Sequence, residues 1–369
     1  MANPTQTKKS FWQKFSPITI LMYLVLLIYA GISIMPFFFM LSTSLMTLGE
    51  ATTGRILPRS IDTTNDISPC ILYTNDTYIN DAKETVTENR LVIAVPPEVA
   101  QVQGYGNRAP EDYIERNEIF RIPFFTNYCQ AWKGGNLGHH IWVSVKITAI
   151  TVAGTVIFAT LTAYAFARMD FIGKNVLFGI LLATLMIPGI VQNLPNFLLV
   201  NEIGRIFGTE GWFATTLGFS FCDQPNCWIN NWPALTIPFM APAISIFLLR
   251  QHFASIPYEL WDAAQIDGAG HVRFLVQIVL PLSKAALFVV VLFAFIGAWN
   301  ELAWPLLVTV GSNEWRPIAV GLQSFFNEEA NFPHLRMAGS MIAILPILIL
   351  YAFTQRTFIE GLSQSGLKG

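Results

Sequence analysis

Six long apolar runs separated by polar ground dominate the chain, at about 17–45, 141–166, 174–200, 234–250, 284–310 and 336–356. A helix needs about 20 mostly apolar residues to cross the hydrocarbon core of a bilayer. The pattern therefore predicts an all-α membrane protein of about six transmembrane helices. Pro188 and Gly189 interrupt the third run, and Pro233, Pro238 and Pro242 crowd the fourth. Broken helices survive in membranes where protein or a water-filled path satisfies the freed backbone groups. Such breaks read either as pointers to a transport path or as ordinary tolerated kinks.

The polar ground is uneven. Residues 1–16 are a short N-terminus and 17–48 hold the first span. Residues 49–121 read as an extracytoplasmic inserted module of mixed structure, with one strand-like run at Leu91–Val95. Residues 122–360 carry the other spans and a cytoplasmic loop at 255–282, and 361–369 form a tail. Lys8, Lys9 and Lys14 precede the first run as in a signal peptide. That run is longer than a signal's apolar region and no small-x-small cleavage site ends it, so it reads as a retained span.

Composition agrees with a lipid environment. Hydrophobic residues make up 53% of the chain and charged residues 12%, with a mean hydropathy of +0.47, where soluble domains carry about 25% charged residues. The net charge of −2 supplies no basic field, so nucleic acid is excluded as a partner. In the short loops, Lys8, Lys9, Lys14, Arg168, Lys174, Arg250, Arg273, Lys284, Arg356 and Lys368 fall on one side, against Arg205, Arg316 and Arg336 on the other. The positive-inside rule then puts both termini in the cytoplasm. Cys70, Cys129, Cys222 and Cys227 all fall in segments assigned to the outside, which favours disulfides over reduced thiols. Local pairing, Cys222 with Cys227 and Cys70 with Cys129, is the simplest connectivity. The Cys-x4-Cys spacing has no nearby histidine to complete a metal site, and no metal is expected. Asn75-Asp76-Thr77 matches a glycosylation sequon and reads as chance.

The loop Ser255 to Leu282 is the most informative stretch. Pro257 and Glu259 suit a helix start. Glu259, Asp262, Ala263 and Ile266 then share one face at helical spacing, and Gly268 and Gly270 stop the helix. Small Ala263 and Ala264 would let a partner surface approach closely, although a merely structured loop would read the same way.

Asp262-Ala263-Ala264, Asp267-Gly268-Ala269 and Pro281-Leu282 resemble the EAA motif of ABC importer permeases, with Asp262 replacing the usual glutamate. Ala163-Tyr-Ala-Phe-Ala-Arg168, Gly173-Lys174, Met186-Ile-Pro-Gly189, Trp299-Asn-Glu-Leu302, Trp304-Pro305-Leu306 and the tail Phe358 to Gly369 are similar to the maltose and multiple-sugar branch of those permeases. The likeness covers about 17–48 and 122–369; the module at 50–121 departs from it. The resemblance implies a prokaryotic inner-membrane subunit forming half of a carbohydrate path. It implies as partners a second permease subunit, a dimer of ATP-binding subunits carrying ATP and Mg, and an extracytoplasmic solute-binding protein. Glu259, Asp262, Ala263, Ala264, Asp267, Gly268 and Ala269 would then couple to the ATPase. Gln364, Gly366, Lys368 and Gly369 would enter its interface. The loop Gly311–Leu335, with Trp315, Phe325, Phe326, Glu328 and Glu329, would dock the solute-binding protein. Packing of the same aromatic residues against the outer ends of the spans is the alternative.

No Gly-x4-Gly-Lys-[Ser/Thr] sequence occurs, so ATP is not held here, and the chain needs no cofactor of its own. Leu362-Ser-Gln-Ser-Gly366 echoes the ABC signature only by chance. His139-His140 at a membrane entry reads as interfacial, and no catalytic constellation is evident. Polar groups inside spans are costly and mark candidate paths: Gln192, Asn193 and Asn196 beyond Pro188, and Asn300 with Glu301 in the fifth run. Beside the aromatic faces of Trp299 and Trp304 they suit a neutral, hydroxyl-rich solute; interhelical hydrogen bonding explains them equally. Competing readings are a permease for another small polar solute, an ion-coupled secondary transporter using Glu301, and a receptor whose ligand module is 49–121. Neither of the last two needs a helix at 255–282 followed by Asp-Gly-Ala.

Overall fold

The computed structural model describes residues 17–46, 51–52, 54, 56–57, 73–79, 85–91, 126–311, 314–328 and 332–366. By chain contact it divides into two compact units: Met1–Ala131 with Glu329–Ile342, and Trp132–Glu328 with Ala343–Gly369. Among the described residues, four helices are long and apolar enough to cross a membrane. Two bent helix pairs raise the number to six.

In the first unit, α1 (Pro17–Ser44) is apolar on every side, and its side chains from Ile20 to Phe39 lie exposed, as on a helix meeting lipid or another chain. Its exit is pinned. Asn127 Nδ2 donates to the carbonyls of Ser44 and Met46, 2.8 Å each, and the hydroxyls of Ser44 and Tyr128 lie 2.6 Å apart. An antiparallel hairpin pairs β1 (Tyr73–Ile79) with β2 (Thr85–Leu91), so the chain is not wholly α. Of the strand-like run read at Leu91–Val95, Leu91 closes the ladder opposite Tyr73, and 92–95 lie outside the described residues. Thr-Val-Thr-Glu-Asn-Arg-Leu carries little apolar alternation, so period-2 reading misses β2.

The second unit is built on α3 (Leu137–Arg168), which follows α2 (Thr126–Gly134). It begins before its apolar run because the polar residues there find partners. His139 Nε2 and His140 Nδ1 donate to the carbonyls of Glu314 and Arg316, at 3.1 and 2.8 Å. The Ser144 hydroxyl accepts from Ile318 N at 2.7 Å. The third run breaks into α4 (Lys174–Thr184) and α5 (Gly189–Phe207), inclined by 110°, with α6 (Trp212–Leu217) continuing beyond. Pro188 has no N–H to continue the ladder, and Gln192 Nε2 donates back to the Ile187 carbonyl at 3.0 Å.

The fourth run is α7 (Trp232–Thr236), a 3₁₀ turn and α8 (Ala243–Ser255). Two short helices follow, α9 (Glu259–Ile266) and α10 (His271–Phe274), then a π turn at Leu275–Val279. The fifth run is shorter than the predicted 284–310: α11 spans Lys284–Asn300, and Ala303–Val308 is a separate helix, α12. Glu301 is extended and its carboxylate accepts from Trp304 N at 3.2 Å, which starts α12 afresh. The last elements are α13 (Ile318–Glu328) and α14 (Pro333–Gly366).

Helices α8 and α11 pack along α3. Near its start, Val143 and Ile147 join Ala234, Leu235, Trp304 and Val308 in one core cluster. Near its end, Ala159, Ala163, Tyr164 and Phe166 join Leu249, Phe253, Trp261 and Phe274 in another. Small residues allow that close approach, since interhelical packing in lipid rests on contact rather than on expulsion of water.

Candidate functional site

The first candidate is α9. Glu259 and Asp262 occupy its first turn, where carboxylates offset the helix's positive end. Its end is closed by a pair of bonds: Ala269 N donates to Ala264 O at 2.8 Å and Gly268 N to Gln265 O at 3.0 Å. This is the Schellman arrangement, which needs a left-handed residue just past the helix, and Gly268 supplies it at φ +74°. The Asp267-Gly268-Ala269 signature is thus a helix stop with a geometric reason for its glycine.

The helix has two faces. Glu259, Asp262, Ala263, Asp267 and Ile266 are exposed, Ile266 at 87%. Trp261 and Ala264, three residues apart, are buried. Ala264 was expected beside Ala263 on the approach side; at 4% exposure it instead packs into the chain's own core. The buried face is anchored to α3 and α10. Trp261 stacks on His271, with ring centres 4.4 Å apart and planes 14° apart, and meets Phe274 edge-on at 5.0 Å. The Tyr164 hydroxyl lies 2.9 Å from His271 Nδ1. Arg168 donates to the Ile256 carbonyl and Arg250 Nε to the Phe166 carbonyl, the latter at 3.3 Å. Sequence reading assigned none of these contacts; it used Arg168 and Arg250 to orient the spans, and Tyr164 and Arg168 as part of a family-like motif. A histidine, a tryptophan and a tyrosine in three elements share no spacing, and only the fold brings them together.

The second candidate is a cavity of about 200 Å³ between α3, α8, α11 and α12. Thr151, Thr155, Ser245, Glu301, Phe239 and Trp304 are among its walls. The buried Thr151 hydroxyl has no hydrogen-bond partner among the described residues, Thr155 Oγ1 donates to Phe239 O at 3.3 Å, and Trp304 Nε1 is held by Ala234 O at 2.8 Å. Of the five polar residues proposed from sequence, the cavity takes Glu301 alone. Asn300 is exposed and bonds its own helix at Ile296 O, 2.9 Å away. Gln192, Asn193 and Asn196 sit half-buried on α5 and do not line it. The hydroxyls were missed; their signal was Thr148, Thr151 and Thr155 recurring along one face of α3.

The loop before α14 corrects another expectation. Phe325 is 2% exposed, so it cannot present a docking surface; it occupies the inner side of amphipathic α13. Trp315 is half-buried against the Val143–Trp304 cluster, with the Lys146 ammonium 5.3 Å over its ring. Phe326 is also half-buried. The side chain of Glu328, and Glu329 altogether, lie outside the described residues, as do Cys70, the Cys129 side chain, Lys368 and Gly369. Gln364 and Gly366 fall on the last turns of α14. Cys222 and Cys227 are joined in a disulfide, as the sequence suggested.

Four to six candidate spans, by length and composition, define a multi-pass membrane protein. The sequence profile of the binding-protein-dependent transport system inner membrane component matches residues 155–363, and the chain belongs to that family. Among its relatives, the arabinooligosaccharides transport system permease protein AraQ of Halalkalibacterium halodurans is 31% identical over 63% of this chain and 73% of its own. The sn-glycerol-3-phosphate transport system permease protein UgpE of Brucella abortus is 32% identical over 65% and 79%. The trehalose/maltose transport system permease protein MalG of Thermococcus litoralis is 32% identical over 61% and 74%. In fold the chain is similar to a bacterial ABC transporter involved in the import of the acidic polysaccharide alginate, with a TM-score of 0.62 over 92% of this chain and 96% of that one, at 19% identity.

Proposed function

We propose that this protein is one permease half of an ATP-driven carbohydrate importer. Helix α9 would dock on a separate ATP-binding subunit that carries ATP and Mg, and a second permease would complete the path. An extracytoplasmic solute-binding protein would deliver the sugar. The observation that carries this reading is α9 itself: acidic at its head, exposed along Asp262, Ala263 and Ile266, and fixed to α3 through Trp261, His271 and Tyr164. A free loop would have no reason to be so rigidly backed and so openly fronted. Glu259, Asp262, Ala263, Asp267, Gly268 and Ala269 would form the docking side, with Ala264 supporting it from behind. The tail from Gly361 would lie near the same partner. Both termini would be cytoplasmic, and 49–121 would be an outside insertion.

Relatives that carry arabinooligosaccharides, trehalose and maltose support a sugar as cargo. The sn-glycerol-3-phosphate relatives favour an anionic polyol as a second reading. The Glu301 carboxylate at the cavity wall, with no Lys or Arg among the lining residues, favours a neutral solute. Purifying the chain with its neighbours and measuring ATPase activity tests the assembly. An ATP-binding protein should co-purify, and its hydrolysis should rise with a loaded solute-binding protein. Transport by the chain alone, driven by an ion gradient, would overturn the proposal.

A further inference from the structure

The cavity bounded by α3, α8, α11 and α12 has two unlike kinds of wall, and together they describe an occupant. One kind is hydroxylic. Thr151, Thr155 and Ser245 are 4%, 0% and 1% exposed, and all three line the space. Thr155 Oγ1 donates to the Phe239 carbonyl, but the Thr151 hydroxyl has no hydrogen-bond partner among the described residues. Native proteins seldom bury a polar group without pairing it. Glu301 adds a carboxylate: one oxygen accepts from Trp304 N at 3.2 Å, which leaves the other for a ligand's donor.

The other kind is aromatic and fixed. Phe239 and Trp304 meet edge-on at 5.6 Å, and Phe293 also lines the space. The Ala234 carbonyl holds Trp304 Nε1 at 2.8 Å, so the indole cannot swing away. Cavities that stay empty are apolar throughout, and a buried water wants two to four polar partners around it. Neither describes a space that is part hydroxyl and part aromatic. A sugar ring matches both kinds of wall, because its C–H surface packs on aromatic carbon while its hydroxyls donate and accept.

Size and charge narrow the occupant further. The volume of about 200 Å³ is roughly seven times a water's share of the liquid, and falls below the ~300–1,000 Å³ of sites for drug-sized molecules. It admits one ring and not a chain of them. No Lys, Arg or His lines it, so the Glu301 carboxylate would repel an anionic ring unopposed. Ile244 and Phe293 line the cavity yet remain 42% and 50% exposed, which marks its mouth. We propose that this chain itself holds one neutral sugar ring, with Thr151 and Glu301 reading its hydroxyls beside Phe239 and Trp304. The site rests on the carbohydrate-importer reading and adds that the second permease does not carry the solute alone.

The test uses the assembled transporter in nanodiscs with its solute-binding protein, trapped with ATP and vanadate. Tritiated arabinose, glucose, maltose and trehalose are offered in turn, and the sugar retained through gel filtration is counted. Gly297 lines the cavity, and a Cβ built on it meets no atom within 4 Å. Gly297→Leu therefore fills the space without a clash and replaces a weak helix former, so the variant should melt as wild type does. It should lower retention of the best-held sugar by about tenfold or more. Thr151→Val should lower it about two- to tenfold, the worth of one hydrogen bond, and Thr151→Ser should restore it. Wild-type retention in both Gly297→Leu and Thr151→Val, with sugar-stimulated hydrolysis intact, would overturn this site and leave the importer reading standing. Loss of co-purifying lipid or of the second permease from Gly297→Leu, with retention unchanged, would give the cavity to that occupant and overturn the site equally. An assembly without an ATP-binding partner would instead overturn the importer reading, and the site with it.

Discussion

Substitution at Gly268 separates the helix stop from the docking face. The residue sits at φ +74°, and a Cβ built on it meets no atom within 4 Å. Within this chain the cost of a side chain is therefore backbone strain alone. For L-residues the left-handed region costs about 1–2 kcal/mol, least for asparagine. Thermal unfolding of the purified chain should then rank Gly268→Asn close to wild type, Gly268→Ala about 1 kcal/mol lower and Gly268→Val lowest, at about 2 kcal/mol. Docking adds a different demand. If an ATP-binding subunit covers this exposed turn, every side chain intrudes, and Gly268→Asn should lose coupled uptake in proteoliposomes while keeping its stability. Since about 1.4 kcal/mol is tenfold in an equilibrium constant, the Ala variant's strain alone explains less than a tenfold loss, and a larger one needs the partner. Uptake and ATPase activity at wild-type levels in Gly268→Asn would reduce the glycine to a helix stop and remove the docking argument.

Three further perturbations follow from the same geometry. Tyr164→Phe removes a bond of about 0.5–1.5 kcal/mol net, and should lower sugar-stimulated ATPase activity up to about tenfold while basal hydrolysis persists; normal stimulation would deny the Tyr164–His271 contact a role in coupling. Thr151→Val deletes a buried hydroxyl without a partner among the described residues, so stability should hold or rise, whereas a raised KM for uptake would place the cavity on the solute path; Glu301→Gln checks the same wall by weakening discrimination against anionic analogues. After reduction, a membrane-impermeant thiol reagent on intact cells should reach Cys222 or Cys227, and protection of both until lysis would reverse the assigned orientation.

The spans were legible because lipid imposes a length and an apolar composition that no other constraint mimics. The loop at 255–282 was legible because helix start and stop chemistry is local: Pro257, Glu259 and Gly268 speak through neighbours in sequence. What the apolar pattern could not give was the interruption of the fifth run. Apolar residues continue from Lys284 past Asn300, but the Glu301 carboxylate caps a new helix at Trp304, a side-chain choice that hydropathy does not see. Ala264 was misassigned because alanine suits both faces of a helix, and only the burial of Trp261 fixes which side looks inward. Phe325 was misjudged for a similar reason: amphipathic α13 hides one row of its aromatic residues.

Proline distribution gives the candidate sites a common frame. Pro36 lies in α1, Pro188 and Pro195 in the third span, Pro238 and Pro242 in the fourth, Pro281 before α11 and Pro346 in α14. Among the described spans, Leu137–Arg168 has none. An unbroken hydrogen-bond ladder makes α3 the stiff member, while its neighbours have sites where the ladder is already open. Both candidate sites attach to this helix. Thr151 and Thr155 give it to the cavity, and Tyr164, Ala163 and Arg168 give it to the base of α9. From Thr151 to Tyr164 is about 20 Å along the axis. A displacement of α9 by a partner would therefore reach the cavity wall as movement of a rigid rod, while the bends at Pro188 and Ser283 absorb the change around it. The His271 stack is the joint where that displacement would enter. A stiff α3 with a loose joint should uncouple hydrolysis from transport without unfolding either half, which is the behaviour expected of Tyr164→Phe.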